Sequence, residues 1–136
     1  MKKIIINGGY DLLHIGHLNL INYAKSLGDY LIVALDTDER ISENKGKERP
    51  INNLKTRIAI MQNLKAVNEV CEFGSDDELI RIFKDKMPDI RVIGSDWKGK
   101  EIIGETYCKE IIYYERTDDN STTNTIEGYV DRRFVL

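Results

Sequence analysis

The chain's two histidines lie three residues apart, in Asp11-Leu-Leu-His14-Ile-Gly-His17. On a helix that spacing puts both imidazoles on one face. If a helix starts there, its unpaired backbone N–H groups and positive dipole end join the imidazole donors, and the natural guest is an anion such as phosphate. Gly16, between the histidines, lets a phosphate or an adenine-sized group approach the backbone closely. A zinc site would need further Cys, His or carboxylate ligands at suitable spacing, and none is evident. The turn ahead of the pair, Gly8-Gly9-Tyr10-Asp11, is neither a dinucleotide fingerprint nor a lysine-bearing phosphate loop. Dinucleotide oxidoreductases and ATPases with such a loop are therefore disfavoured.

These residues need elements to hold them. Residues 3–7 are a short β-branched run ending at the glycine pair, as in a buried parallel strand. Residues 15–27 carry apolar side chains at a helical period, with Gly28 as a stop, and residues 30–35 form the next strand. That order is a right-handed crossover unit of a parallel sheet. Residues 36–52 turn polar and follow neither period, which predicts a mobile loop carrying Lys45, Lys47 and Arg49. Further on, the patterns predict a helix over 54–64, a strand over 69–73, a helix over 76–87, a strand over 90–94, a fifth strand over 110–114, and a last helix ending near Arg132. Strands alternating with helices predict an α/β, doubly wound, Rossmann-like sheet of five parallel strands in a single domain over 1–136.

In open parallel sheets ligands sit beyond the carboxyl ends of the strands. That rule selects four segments: 8–17, 45–49, 94–100 and 116–123. All are rich in groups that bind phosphate or a base edge. Composition agrees with a local phosphate site. The chain has 136 residues, 32% of them charged, and a net charge of −3, so no basic field awaits nucleic acid. Cys71 and Cys108 lack metal or redox spacing and are expected to be reduced, mostly buried thiols, which fits a cytoplasmic location. No apolar run approaches the roughly 20 residues that span a bilayer, so no membrane partner is expected.

The residues 8–17 resemble the G-x-F-D-x-x-H-x-G-H signature of the cytidylyltransferase-like nucleotidyltransferases, with Tyr10 in place of Phe. Arg116-Thr-Asp-Asp-Asn-Ser121-Thr122-Thr123 is similar to a second signature, R-T-x-G-I-S-T-T, and Gly94-Ser-Asp96-Trp97-Lys-Gly-Lys100 to a third, G-D-D-W-x-G-K. The likeness spans almost the whole chain. It implies transfer of a nucleotidyl group to a phosphorylated small molecule, with Mg²⁺ accompanying the nucleoside triphosphate, no protein metal-ligand set, and a homodimer.

By the same resemblance His14, His17, Lys45 or Lys47, and Arg116 are implied to stabilise the reacting phosphates. Gly8, Gly9, Tyr10, Asp11, Gly16, Arg57, Asp96, Ser121 and Thr122 are implied to bind the nucleotide, and Trp97, Asp11 and Lys45 the acceptor. Several have plainer readings: a turn aspartate for Asp11, a surface salt bridge for Arg57, a helix cap for Ser121, packing for Trp97. Two branches compete. Arg116-Thr117 and Trp97-Lys-Gly-Lys100 look like the branch that uses CTP and a polyol phosphate such as glycerol 3-phosphate, which is the first expectation. Lys45-Gly-Lys-Glu-Arg49-Pro50, Asn52 and Glu101-Ile-Ile-Gly104 resemble the branch that uses ATP to activate heptose 1-phosphate. A nucleotide-binding module without turnover is a third possibility.

Overall fold

The structure, a computed structural model, describes residues 1–115. Five strands form one parallel sheet: β1 (Lys3–Gly8), β2 (Tyr30–Asp36), β3 (Glu69–Phe73), β4 (Ile90–Gly94) and β5 (Glu110–Tyr114), in the order β3-β2-β1-β4-β5. The chain builds outward from β1 through β2 to β3 and then returns to the other side of β1 with β4. The strand order therefore reverses between β1 and β4, which makes a crevice at their carboxyl ends.

Four α-helices cover the sheet: α1 (Ile15–Ser26), α2 (Asp38–Lys45), α3 (Leu54–Gln62) and α4 (Asp76–Lys86). Side chains of a strand alternate between faces, and the core divides accordingly. Ile4 and Ile6 of β1 pack with Ile21 and Ala24 of α1 and Met61 of α3. Ile5, on the opposite face, packs with Leu79 and Phe83 of α4. The continuous apolar run Leu31–Leu35 is fully buried because β2 is covered on both faces.

The expected loop over 36–52 contains a helix. Thr37 caps α2 by accepting the Arg40 N–H at 3.3 Å, and Asp38 and Glu39 lie in the first turn, where the helix dipole favours negative charge. With eight residues and Ile41 as its buried one, α2 is too short and too polar to show a periodic pattern. The other elements lie where the residue patterns put them, to within a few residues at their ends. The first helix closes at Leu27, whose right-handed cap precedes Gly28. The predicted last helix lies outside the described residues.

Both cysteines are free and half-buried rather than mostly buried. Cys71 on β3 packs against the α4-side cluster, and burial, helped by the Glu69 carboxylate, pushes its thiol up from 9.0 to about 11. The unfolded thiol thus ionises before the folded one. Its contribution to stability is full below about pH 9 and is lost as pH rises through about 11. In urea titrations the stability advantage of the native chain over Cys71→Ala should shrink between those two pH values. A difference independent of pH would show that the thiol is not held in its neutral form.

Candidate nucleotide site at the strand ends

The glycine turn leaves β1 along a constrained path. Tyr10 and Leu12 both have positive φ, 48° and 49°, in the left-handed region that side chains resist. Packing holds Tyr10 there. A Cβ at Gly8 would stand 3.1 Å from its ring, so a side chain at residue 8 would push the ring by a few tenths of an ångström from its place over the strand end.

This path delivers His14 to the N-cap of α1 in extended conformation. His14 Nδ1 accepts the Gly16 N–H at 3.1 Å, and His17 Nδ1 accepts the His14 N–H at 3.3 Å. Each ring thereby satisfies a backbone donor that the start of a helix leaves open. An Nδ1 that accepts cannot carry the proton, so a neutral imidazole here is the Nε2–H tautomer. The two rings stack at 3.8 Å between centroids and 25° between planes, and Tyr10 meets His17 edge-on at 5.3 Å. Two parallel imidazoles with matched tautomers thus stand at the positive end of a helix, beside the crevice.

Asp11 is 2% exposed, and its carboxylate reaches across the turn. Its oxygens accept the backbone N–H groups of Ile51 and Asn52 at 2.6 and 2.8 Å, and Arg49 Nε lies 3.9 Å away. These partners give Asp11 a concrete role: it ties the segment after α2 to the histidine turn.

Arg57 corrects a sequence expectation. Not the surface cation of its plainer reading, it is 1% exposed and directs its donors at the protein. Nε donates to the Asn52 carbonyl at 3.0 Å, Nη1 to the carbonyls of Gly9 and Asp36 at 3.0 and 2.7 Å, and Nη2 to the Asp38 carboxylate at 2.7 Å. From α3 its side chain runs under the ends of β1 and β2.

Asp36 closes β2 and binds Arg40 Nε at 3.0 Å. Burial holds its carboxyl above the usual range, against the opposing pull of Arg40, Lys45 and Arg57. Lys45 ends α2, near enough to act on that carboxylate, while Lys47 follows Gly46 and is exposed. Asp96 and Trp97 stand beyond β4 on a 3₁₀ turn (Ser95–Trp97), Trp97 exposed with Lys100 Nζ 5.9 Å from its ring. The structure therefore gathers residues 8–17, 45–52 and 94–100 at one end of the sheet. Arg116, Ser121 and Thr122 lie outside the described residues. Among the described residues no group of three or more His, Cys, Asp or Glu could hold a metal ion, and no helix is long and apolar enough to cross a membrane.

Sequence reasoning did not single out Asn7 or Arg91, and it placed Arg49 in a mobile loop without giving it a role of its own. Arg49 has buried Nε and Nη2 atoms with no hydrogen-bond partner among the described residues. Nothing in a linear pattern marks a buried arginine, although Asn7 directly ahead of the glycine pair was a local signal.

Residues 5–128 match the model of one family, described as cytidylyltransferase-like. The chain belongs to the cytidylyltransferase-like family. Among curated proteins it is 44% identical over 129 residues to the bifunctional protein HldE of Helicobacter hepaticus and 39% identical over 128 residues to that of Sulfurimonas denitrificans. Each match covers 93% of this chain and 26% of the relative, so the chain spans about a quarter of the length of these relatives. A solved structure of the lipopolysaccharide core biosynthesis protein from Thermoplasma volcanium superposes with a TM-score of 0.72 at 28% identity, covering 87% of this chain and 99% of that one. Pantoate-beta-alanine ligase from Francisella tularensis, at 16% identity and a TM-score of 0.62 over 99% of this chain and 71% of its own, shares the fold.

Within this cytidylyltransferase-like site, replacing Arg57 by Met would leave three carbonyls and one carboxylate without their donor. The expected loss of stability in urea unfolding is about 3 kcal/mol or more. Asp38→Asn, which removes only the charge of a partner that is 39% exposed and keeps an amide oxygen as acceptor, should cost much less. Equal losses would mean that the carbonyl contacts contribute little.

Proposed function

We propose that this chain transfers the adenylyl group of ATP to a sugar 1-phosphate and releases pyrophosphate. One observation carries the choice of branch. The segment Lys45-Gly-Lys-Glu-Arg49-Pro50-Ile-Asn52, which resembles the ATP-using branch, is bound by the Asp11 carboxylate to the turn that bears both histidines. The comparisons support the same branch: the curated relatives quoted are HldE proteins, and the Thermoplasma structure is that of a lipopolysaccharide core biosynthesis protein. This reading puts ATP and a sugar phosphate ahead of the CTP and polyol phosphate expected first.

The chemistry asks for charge stabilisation more than for a base. The acceptor's phosphate oxygen, already ionised near neutral pH, attacks the α-phosphorus in line as the bond to pyrophosphate breaks. Charge builds on the α-phosphate and leaving oxygens. His14 and His17 offer Nε2–H donors to them at the N-terminal end of α1, where the helix dipole also acts. Lys45 and Lys47, from the tethered segment, supply mobile positive charge for the triphosphate. Arg116, Ser121 and Thr122 complete the phosphate site by resemblance. Mg²⁺, bound through the phosphate oxygens of the nucleotide, would offset charge on the triphosphate. Trp97 and Asp96 border the crevice beyond β4 and suit contact with base, ribose or acceptor.

Turnover with MgATP and a sugar 1-phosphate should exceed turnover with MgCTP and glycerol 3-phosphate, measured as pyrophosphate release. The reverse order would restore the CTP branch, and no release with either pair would favour a module that binds without turning over. His14 also caps α1, so the informative variant is His14→Asn, which keeps a good capping group and loses Nε2. Both His14→Asn and His17→Ala should lower kcat by roughly 10²–10³. Near-normal turnover in both would sink the assigned role.

A further inference from the structure

Arg91 lies on β4 opposite Ile5 of β1, on the α4 face of the sheet, and is 3% exposed. Among the described residues no carboxylate pairs with it. Its Nη2 donates to Asn7 Oδ1 at 3.0 Å, its Nη1 to the Ile103 carbonyl, and its guanidinium lies 4.9 Å from the centroid of the Phe83 ring. A buried guanidinium held only by neutral acceptors and a ring is costly to desolvate, and burial indeed pulls its pKa down. A methionine or leucine would pack more cheaply there, so the charge invites a functional explanation.

Hydrogen-bond chemistry supplies one. A guanidinium has donors and no acceptor, so the side-chain atom of Asn7 that faces it must be the amide oxygen. The amide nitrogen is thereby turned away from Arg91, and among the described residues nothing else accepts from it. Asn7 is the penultimate residue of β1 and lies beside β4, where the strand order reverses. Ligands of open α/β sheets are held across that crevice. The second donor of Arg91 fixes the segment behind Trp97: Ile103 is held by its carbonyl, and the next residue, Gly104, has φ +79° and sits so close that a Cβ would meet the Phe83 ring at 2.5 Å.

We infer that Asn7 is a nucleotide-binding residue that donates its amide N–H to an acceptor atom of the base or ribose, and that Arg91 is the positioning residue that fixes its orientation. This rests on the reading that a nucleotide occupies the switch point. It adds a neutral donor on the α4 face to a site whose histidines approach from the α1 face.

The test is calorimetric binding of MgATP to the full chain, paired with melting of the free protein. Asn7→Asp replaces a donor by a second acceptor while giving Arg91 the carboxylate it lacks. It should melt no lower than the native chain and bind MgATP roughly tenfold more weakly. Asn7→Ser, which adds no charge, should show a similar loss. Arg91→Met should also weaken binding, Arg91→Lys should recover part of it because Lys is likewise only a donor, and Arg91→Met should add nothing in the Asn7→Ser background. Native affinity in Asn7→Ser would overturn the assignment of Asn7, even if Asn7→Asp binds poorly. Losses that multiply in the double variant would overturn the action of Arg91 through Asn7. If the native chain binds no nucleotide at all, this inference and the proposed function both fall, an outcome that the variants alone cannot produce.

Discussion

Much of this site hangs on the guanidinium of Arg57. Where parallel strands end, their last carbonyls lose their ladder partners while still covered by neighbouring chain, and buried carbonyls need donors. Arg57 supplies them to Gly9 beyond β1, to Asp36 at the end of β2 and to Asn52 ahead of α3, and it pairs with Asp38 at the start of α2. One side chain from α3 therefore joins two strand ends, a helix start and the segment bearing the lysines. A lysine could not do this, since its compact ammonium lacks the planar fork that reaches separated acceptors at once.

Asp11 works toward the same end from the opposite charge. Its carboxylate takes the amides of Ile51 and Asn52, next to the carbonyl that Arg57 takes. The residue pair 51–52 is thus gripped by an acceptor through its N–H groups and by a donor through a C=O. The segment over 46–52 has no strand or helix of its own, and these two buried charges give it a defined place beside the histidine turn. Preorganisation of this kind matters for phosphoryl chemistry, where the protein contributes mainly position and electrostatics.

In the proposed reaction the histidine pair serves fold and chemistry together. Each Nδ1 satisfies a backbone N–H at the start of α1, and that bond selects the tautomer with Nε2–H. The capping that starts the helix is thus also what aims the donors. On the other face of the sheet, Arg91 treats Asn7 in an analogous way, by accepting no hydrogen bond and thereby dictating which end of the amide it meets. Both cases turn an ambiguous side chain into a directed one.

By itself the sequence determined whatever depends on neighbours along the chain. β-Branched runs, helical spacing and the glycine turn carried the five strands, three of the four described helices and the parallel sense of the sheet, because periodicity is written in consecutive residues. The histidine turn was legible for the same reason: cap, spacing and glycines lie within ten positions. Tertiary structure decided what depends on residues far apart. The helix α2 shows little period because it buries Ile41 alone among its eight residues. Arg57 read as a nucleotide contact, with a surface salt bridge as the plainer alternative; the fold brought carbonyls from 48 and 21 residues away onto its fork. Arg91 meets Asn7 across 84 residues, a contact that exists only because β4 returns to lie beside β1. A buried charge is tolerable only where partners converge on it, and that convergence is a property of the folded chain.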